Sequence, residues 1–234
     1  MNLPDDKKVI DEQLVNKLIY YIRSSCKKSS KVVVEINSAI TSLAAGVLFQ
    51  KALGEKTILI VLDFGSPKTN ALTRVCKTLN LNPFILNRAA AYQKELAAYR
   101  LRGPEALKNF YLRFKNYHLL IQSDQMKADL VNTIDKSDRL LNPPPEGFYG
   151  HLVPFYSLFK SEVFDLAKFL GLQEIVPEEY DYWTKMDQVL ILLQKEESLE
   201  NIARQFNLDP NRLKKLKKRI DKQKLETSIS QFII

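Results

Sequence analysis

The chain has 234 residues, of which 45% are hydrophobic and 26% charged, so it can bury the core of one globular domain or of two small ones. Its 7 glycines and 10 prolines exclude collagen-like and low-complexity sequence, and no apolar run is long enough to span a bilayer. Residues 1–14 are charged where a signal peptide needs an apolar stretch. We therefore expect a cytoplasmic protein that does not enter a membrane.

The cysteines and histidines predict neither a zinc site nor a disulfide framework. The two cysteines, Cys26 and Cys76, lack the spacing of metal ligands, and only two histidines, His118 and His151, could join them. We therefore assign no metal ligand in this chain.

Apolar periodicity in the first half predicts helices that alternate with short buried strands. In chain order these are a helix at 10–26, a strand at 31–36, a helix at 42–53, a strand at 57–64, a helix at 69–79, a strand at 83–87, a helix at 90–116 and a strand at 118–123. Such alternation favours parallel strands joined by right-handed crossovers. We predict an α/β fold, a doubly wound parallel sheet flanked by helices.

The second half is predicted to be a loop followed by helices. Residues 135–151 contain three consecutive prolines and two of the glycines, which is typical of a loop at the carboxyl edge of the sheet. Helices are expected at 160–171, 186–194, 198–206 and 209–224. We therefore expect a single domain over 1–234, with a helical C-terminal extension from about 184 to 234.

The net charge of +8 is concentrated in the last of these helices. Residues 212–224 contain eight basic residues and one acidic residue, so the rest of the chain carries about +1. A solvated helix face is the simpler interpretation of this segment. Contact with RNA, DNA or a nucleotide phosphate is the alternative, which we rank lower.

The loop after the first predicted strand is the first candidate binding site, because ligands of parallel sheets bind at the carboxyl ends of the strands. No glycine lies between Glu35 and Ala45, although a loop that wraps a phosphate normally contains glycines. The loop instead offers polar groups at Asn37, Ser38, Thr41 and Ser42. These groups either contact an anion at the helix N-terminus or only cap the helix.

Several segments resemble the NAD synthases of the N-type ATP pyrophosphatase superfamily. The loop in VVVEINSAITS (32–42) lies on the family pattern SGG-hydrophobic-DS, of which only Ser42 is retained. The sequence SLAAGVLFQKALGEKTILIVL (42–62) resembles the first helix and second strand of the family. The most specific match is LFKSEVFDLAKFLGL (158–172), which resembles LYKT-x-V-x-x-LA-x-x-LG. The closing helices also follow the family, so the resemblance covers almost the whole chain.

The resemblance implies a reaction, a set of ligands and an oligomeric state. ATP would adenylate the carboxylate of nicotinic acid adenine dinucleotide with the help of Mg²⁺, and ammonia would then displace AMP to give NAD. No glutaminase domain is seen in the sequence, so the ammonia-dependent type is expected. Lys160 and Ser161 fall on the Lys-Thr pair of the family, which approaches the phosphates and the dinucleotide. A homodimer is expected, with apolar contacts from Leu18, Tyr21 and Ile22 on the first helix.

The chain also departs from the family pattern at the expected triphosphate and metal sites. Thr41 replaces the loop aspartate that helps to hold the metal. The family motif GTGNKSE falls on 122–128, which puts Ala128 in place of its metal-binding glutamate. The Arg-x-Arg pair falls near Pro104 and Ala106, with Arg100 and Arg102 as the neighbouring cations. A His-Lys-Arg cluster is absent from 224–234. These changes predict that ATP and Mg²⁺ bind weakly or not at all.

Three functional hypotheses follow. The departures favour a weakly active or non-catalytic paralogue that binds a dinucleotide or ATP-like molecule, alone or paired with an intact NAD synthase. The second hypothesis is an active ammonia-dependent NAD synthase with a rebuilt loop. The third is an RNA- or DNA-binding protein, because residues 198–219 resemble a helix–turn–helix with a basic second helix.

Overall fold

The structure, a computed structural model, describes residues 7–26, 31–145, 150–175 and 177–231, with side chains described up to Asp221. The strands in these ranges are β1 (Lys31–Glu35), β2 (Thr57–Asp63), β3 (Phe84–Asn87) and β4 (Ala128–Val131). The α-helices there are α1 (Glu12–Ser25), α2 (Ile40–Leu53), α3 (Lys68–Thr78), α4 (Ala89–Tyr99), α5 (Pro104–Met126), α6 (Lys136–Leu141), α7 (Lys160–Phe169), α8 (Tyr180–Gln194), α9 (Leu199–Phe206) and α10 (Pro210–Gln231). None of the described helices is long and apolar enough to cross a membrane.

The four strands form one parallel sheet in the order β3-β2-β1-β4. Val32 and Val34 of β1 belong to the core on the side of α2 and α7, whereas Val33 belongs to the core on the side of α5. Successive residues of a strand point to opposite faces, so a strand buried on both faces is apolar throughout. The predicted doubly wound α/β sheet is confirmed.

The prediction of a fourth strand at 118–123 is wrong, because these residues form the last turns of α5. Leu119 is buried on the α5 side of the sheet, and the helix ends at Lys127, which has a left-handed φ of 50°. The strand is the shorter run ADLV, whose aspartate interrupts the apolar pattern. The predicted helix at 90–116 is also divided, because Arg100 and Gly103 adopt positive φ between α4 and α5.

The segment after β4 contains a helix rather than one continuous loop. Asp135 is the N-cap of α6, and its carboxylate accepts a hydrogen bond from the N–H of Asp138 at 2.7 Å. The chain then returns to the sheet, where Leu152 bridges to Val131 and accepts a bond from the N–H of Asn132 at 2.8 Å. Residues 146–149 of the predicted loop lie outside the described residues. The returning segment thus holds the polar residues that follow β4 close to the sheet edge.

The C-terminal helical extension is present, although its first helix α8 begins at Tyr180, earlier than predicted. Leu190, Ile202, Leu213 and Ile220 from α8, α9 and α10 are buried in a core cluster that includes Phe159 at the start of α7. The extension therefore supports the N-terminus of α7.

The first helix does not present the apolar face that we expected at a dimer contact. Ile22 is fully buried and Leu18 packs against the same core, because α1 lies on α2 within the chain. Only Tyr21 of the three named residues is exposed, at 42%. The expectation is therefore wrong for Ile22, and for the partly buried Leu18 it stays a prediction.

We expect Phe49→Ala to lower the free energy of unfolding by about 3–5 kcal/mol, because the ring is fully buried on α2 and its loss leaves a cavity. Phe169→Ala is the matched control, since that ring is 49% exposed at the end of α7, and its cost should be under about 1 kcal/mol. Urea unfolding of both variants measures the difference, and equal costs would contradict this account of the core.

Candidate active site at the carboxyl edge of the sheet

The loop between β1 and α2 is shaped by two of its predicted site residues. Ser42 is fully buried, and its hydroxyl donates to the carbonyl of Glu35 and accepts from the N–H of Asn37, both at 2.8 Å. The side chain of Asn37 accepts from the N–H of Ala39. Ala39 is the N-cap of α2 and makes no side-chain bond, so the alternative that these side chains cap the helix is wrong. Ser42 and Asn37 brace the loop, and their role as ligands stays a prediction.

A cavity of about 230 Å³ lies between this loop and the start of α7. Its loop side consists of residues 38–41, and Lys160, Phe164 and Trp183 stand opposite. The structure therefore brings together Ser38, Thr41 and Lys160, which the sequence predicted as site residues. Asn37, Ser42 and Ser161 do not line this cavity.

The ammonium group of Lys160 is held by two carboxylates. Its Nζ lies 2.9 Å from an oxygen of Asp135 and 2.8 Å from an oxygen of Asp138, and the lysine side chain is only 12% exposed. Burial lowers the pKa of Lys160, but the two carboxylates more than offset this and hold it above its ordinary value. The ring centroid of Trp183 lies 5.0 Å from Nζ. The positive charge of Lys160, which was expected to contact a phosphate, is therefore already paired with carboxylates of the chain itself.

Because Lys160 is a single positive charge between two carboxylates, it does not fully neutralise both of them. Asp135 is fully buried, and burial and the charge of Asp138 raise its pKa while Lys160 lowers it, so that the pKa is about 7. Asp135 therefore takes up a proton more readily than an ordinary aspartate.

A second buried acid, Asp187 of α8, ties the neighbouring helices together. Its carboxylate accepts from the hydroxyl of Ser137 at 2.6 Å and from the N–H of Ser161 at 2.7 Å. The Ser137 hydroxyl also accepts from the N–H of Lys160. Burial raises the pKa of Asp187, and these hydrogen bonds oppose that effect. Ser161 is thus part of an internal brace, and its role as a ligand stays a prediction.

Sequence reasoning missed Asp135 and Asp138 because it placed the polar segment after the fourth strand ten residues too early, and it missed Asp187 because that residue reaches the site only through the packing of α8. With β4 at Ala128–Val131, the segment that follows the fourth strand is 132–138, NTIDKSD. The alignment of GTGNKSE with 122–128 is therefore wrong, and Ala128 does not stand at the glutamate position. The signal that could have found this segment is the spacing of Asp135 and Asp138, which is typical of a helix N-terminus.

The corrected alignment brings this chain closer to the family pattern. Thr133, Lys136 and Ser137 are identical to residues of GTGNKSE, and the carboxylate of Asp138 stands at the glutamate position. The correction removes the departure at Ala128, whereas Thr41 in the loop at 37–42 still stands where the family pattern has an aspartate.

We expect the free energy of unfolding to fall as the pH rises from about 4 to about 7. In the folded chain Asp135 keeps its proton until the pH reaches its pKa of about 7, whereas in the unfolded chain it releases the proton near pH 3.8. Between these pH values the folded state binds more protons than the unfolded state, so the free energy of unfolding falls as the pH rises. Asp135→Asn should remove much of this fall, on the order of a few kcal/mol. Urea unfolding across this pH range measures it, with the exposed Asp181→Asn as control. Parallel profiles for wild type and Asp135→Asn would contradict the assignment.

Comparisons with known proteins agree with the fold and the motifs. The chain matches no protein-family model. It is 26% identical to the NH₃-dependent NAD⁺ synthetase of Campylobacter jejuni subsp. jejuni serotype O:2 over an alignment of 247 positions, which covers 95% of this chain and 98% of that relative. It is 30% identical to the protein of the same name from Campylobacter jejuni subsp. doylei over 173 residues, 70% of this chain and 69% of that relative.

A solved structure shows the same fold. The NH₃-dependent NAD synthetase from Campylobacter jejuni, determined in complex with the nitrate ion, has a TM-score of 0.77 and 24% sequence identity to this chain. The likeness covers 92% of this chain and 95% of that structure. With this fold, the motif at 132–138 and these relatives, the chain belongs to the NAD synthetase family.

Proposed function

We propose that this protein binds a dinucleotide or an ATP-like nucleotide in the cavity between the β1–α2 loop and α7, and that it forms NAD slowly or not at all. The observation that carries this proposal is the pairing of Lys160 with Asp135 and Asp138, beside a loop in which Thr41 stands where the family has a carboxylate. Membership in the NAD synthetase family supplies the class of ligand.

The cavity has groups that suit such a ligand. The hydroxyls of Ser38 and Thr41 lie at the N-terminus of α2, where the N–H groups of the first turn and the helix dipole favour an anion. Opposite them, Phe164 and Trp183 offer apolar rings against which a base or sugar can pack. The chain's own residues can therefore bind and orient a nucleotide here.

The residues beside this cavity do not fit a magnesium ion. Glu179 is the one carboxylate among the residues that line the cavity, and the nearby Asp135 and Asp138 are both bound to Lys160. No group of three or more potential ligands among the described side chains could hold a metal. Because adenylation depends on aligned phosphoryl groups, each missing charge or donor costs about 10²- to 10³-fold in rate. A slow or absent reaction follows from this arrangement.

The second candidate is an active ammonia-dependent NAD synthetase with a rebuilt loop. The observation in its favour is the segment 132–138, which keeps Thr133, Lys136 and Ser137 and an acid at position 138.

Turnover separates the two candidates. NAD formation from nicotinic acid adenine dinucleotide, ATP and ammonium can be compared with that of the Campylobacter jejuni enzyme in the same assay. We expect a rate at least about 10²-fold lower, in line with the loss of a preorganised donor. A comparable rate would contradict our proposal and favour the rebuilt enzyme.

We expect Lys160→Ala to weaken binding of nicotinic acid adenine dinucleotide by about tenfold or more, because it leaves two uncompensated carboxylates beside an anionic ligand. Lys218→Ala on the exposed face of α10 is the control, and a solvated lysine there should change the affinity by less than about twofold. Calorimetric titration of both variants, with circular dichroism to confirm folding, measures the effect. Equal changes, or no dinucleotide binding by the wild type, would contradict the proposed site.

We also propose a homodimer, and we place its contact on β3, α4 and α5. Several large apolar side chains are exposed on these elements: Phe84, Ile85, Tyr99, Leu107, Tyr111 and Tyr117. An open cavity of about 770 Å³ lies between α4 and α5, and its lining includes the aromatic residues Tyr99, Phe110, Phe114 and Tyr117 together with Arg113. A group of exposed large apolar side chains is typical of subunit contacts.

Light scattering tests the dimer and its surface. The wild type should have twice the mass of the 27.0 kDa chain at micromolar concentration. Tyr99→Arg should shift it towards the monomer, because a charge replaces an exposed ring on α4. Tyr20→Arg on α1 is the matched control, since that ring is also exposed, and it should leave the mass unchanged. A monomeric wild type, or dissociation by Tyr20→Arg alone, would contradict this placement.

A further inference from the structure

The crevice between β1 and β4 is the topological switch point of the sheet. The chain runs from β1 outwards to β2 and β3 on one side, and it later adds β4 on the other side of β1. In open parallel sheets, ligands bind in the crevice at such a point, at the carboxyl ends of the strands. On the α5 side this crevice holds a cavity of only about 40 Å³. It is therefore too small for a phosphate group together with its neighbouring atoms.

An ion pair between Glu35 and Lys115 fills the crevice. Glu35 is the last residue of β1 and Lys115 lies on α5, and their charged atoms are 2.7 Å apart. Their side chains are only 13% and 11% exposed. Burial lowers the pKa of Lys115, but the charge and hydrogen bond of Glu35 outweigh it and raise the pKa above its ordinary value. The lysine is therefore charged, and it faces a carboxylate from its own chain.

The other polar groups around this cavity can donate hydrogen bonds. Asn116, Asn132 and Thr133 line it together with Glu35 and Lys115. Ammonium, hydroxyl and amide groups are donors of the kind that bind an oxyanion, and the Lys115 ammonium contacts Glu35 at 2.7 Å. Glu35 supplies the only carboxylate among these lining residues.

We infer that Glu35 occupies an oxyanion site of its own chain, and that its carboxylate keeps phosphate or carboxylate groups of ligands away from Lys115. This inference rests on the proposed function, because it concerns what the nucleotide-binding edge of the sheet can hold. Glu35 is then a specificity-determining residue. It closes the crevice at the switch point, and ligands bind instead in the cavity on the α2 side. A buried lysine that loses its partner needs another anion, and the volume of the lost side chain would provide the space for it.

The test is to remove Glu35 and supply inorganic phosphate. Glu35→Ala removes the carboxylate and opens space next to Lys115, so we expect it to bind phosphate about tenfold or more tightly than the wild type. Three variants separate the causes. Glu35→Gln removes the charge but keeps the crevice filled, the double variant Glu35→Ala/Lys115→Met has the space without the cation, and Glu55→Ala removes an exposed acid elsewhere. None of the three should gain phosphate affinity.

The measurements are calorimetric titration and melting temperature in phosphate, compared with chloride at equal ionic strength. If Glu35→Ala is unfolded alone, phosphate should restore its folding, because it replaces the missing anion. The inference is overturned if folded Glu35→Ala does not bind phosphate, if phosphate fails to restore an unfolded Glu35→Ala, or if the double variant keeps the gain. These outcomes require no dinucleotide binding, so they are distinct from a failure of the proposed function, which appears as a wild type that binds no dinucleotide.

Discussion

The ammonium group of Lys160 lies between the carboxylates of Asp135 and Asp138, and this contact joins two separate parts of the chain. Asp135 begins α6 after β4, whereas Lys160 begins α7 after the proline-containing segment. Asp187 of α8 adds a third attachment through Ser137 and Ser161. Because buried charges are costly without partners, the positions of α6, α7 and α8 at the sheet edge depend on one another.

The fold could be predicted largely from apolar periodicity, and its main error has a local cause. β1 and β2 are apolar on both faces, which is the pattern of strands buried in a parallel sheet. β4 has only four residues, and Asp129 interrupts them, whereas HLLIQS before it is a longer apolar run. Periodicity alone does not separate a short buried strand from a buried helix segment. The error shifted the following motif by ten positions, and it made the departures from the family look more numerous than they are.

The candidate site could be predicted in part, since Ser38, Thr41 and Lys160 do line one cavity. What the sequence could not provide was the partner of each charge. Lys160 is 22 residues from Asp138 in the chain, and Lys115 is 80 residues from Glu35. Such pairs depend on tertiary packing, which neither residue type nor local spacing encodes. A family motif therefore predicted where Lys160 stands but not what its charge contacts.

The two ion pairs have the same consequence for chemistry at this edge. An enzyme that transfers an adenylyl group is faster when its cations are already oriented towards the substrate's phosphates. This requires that the cations are not paired with another anion that the substrate must first displace. Here Lys160 and Lys115 each contact a carboxylate of the chain, so a phosphate must compete with an oriented internal anion at either position. At Lys115 this competition takes place in a crevice of about 40 Å³, whereas at Lys160 it takes place beside an open cavity of about 230 Å³. The cavity at Lys160 has room for ligand atoms beside the ion pair, whereas a ligand reaches Lys115 only if Glu35 moves. The α2 side of the sheet is therefore the more accessible binding surface.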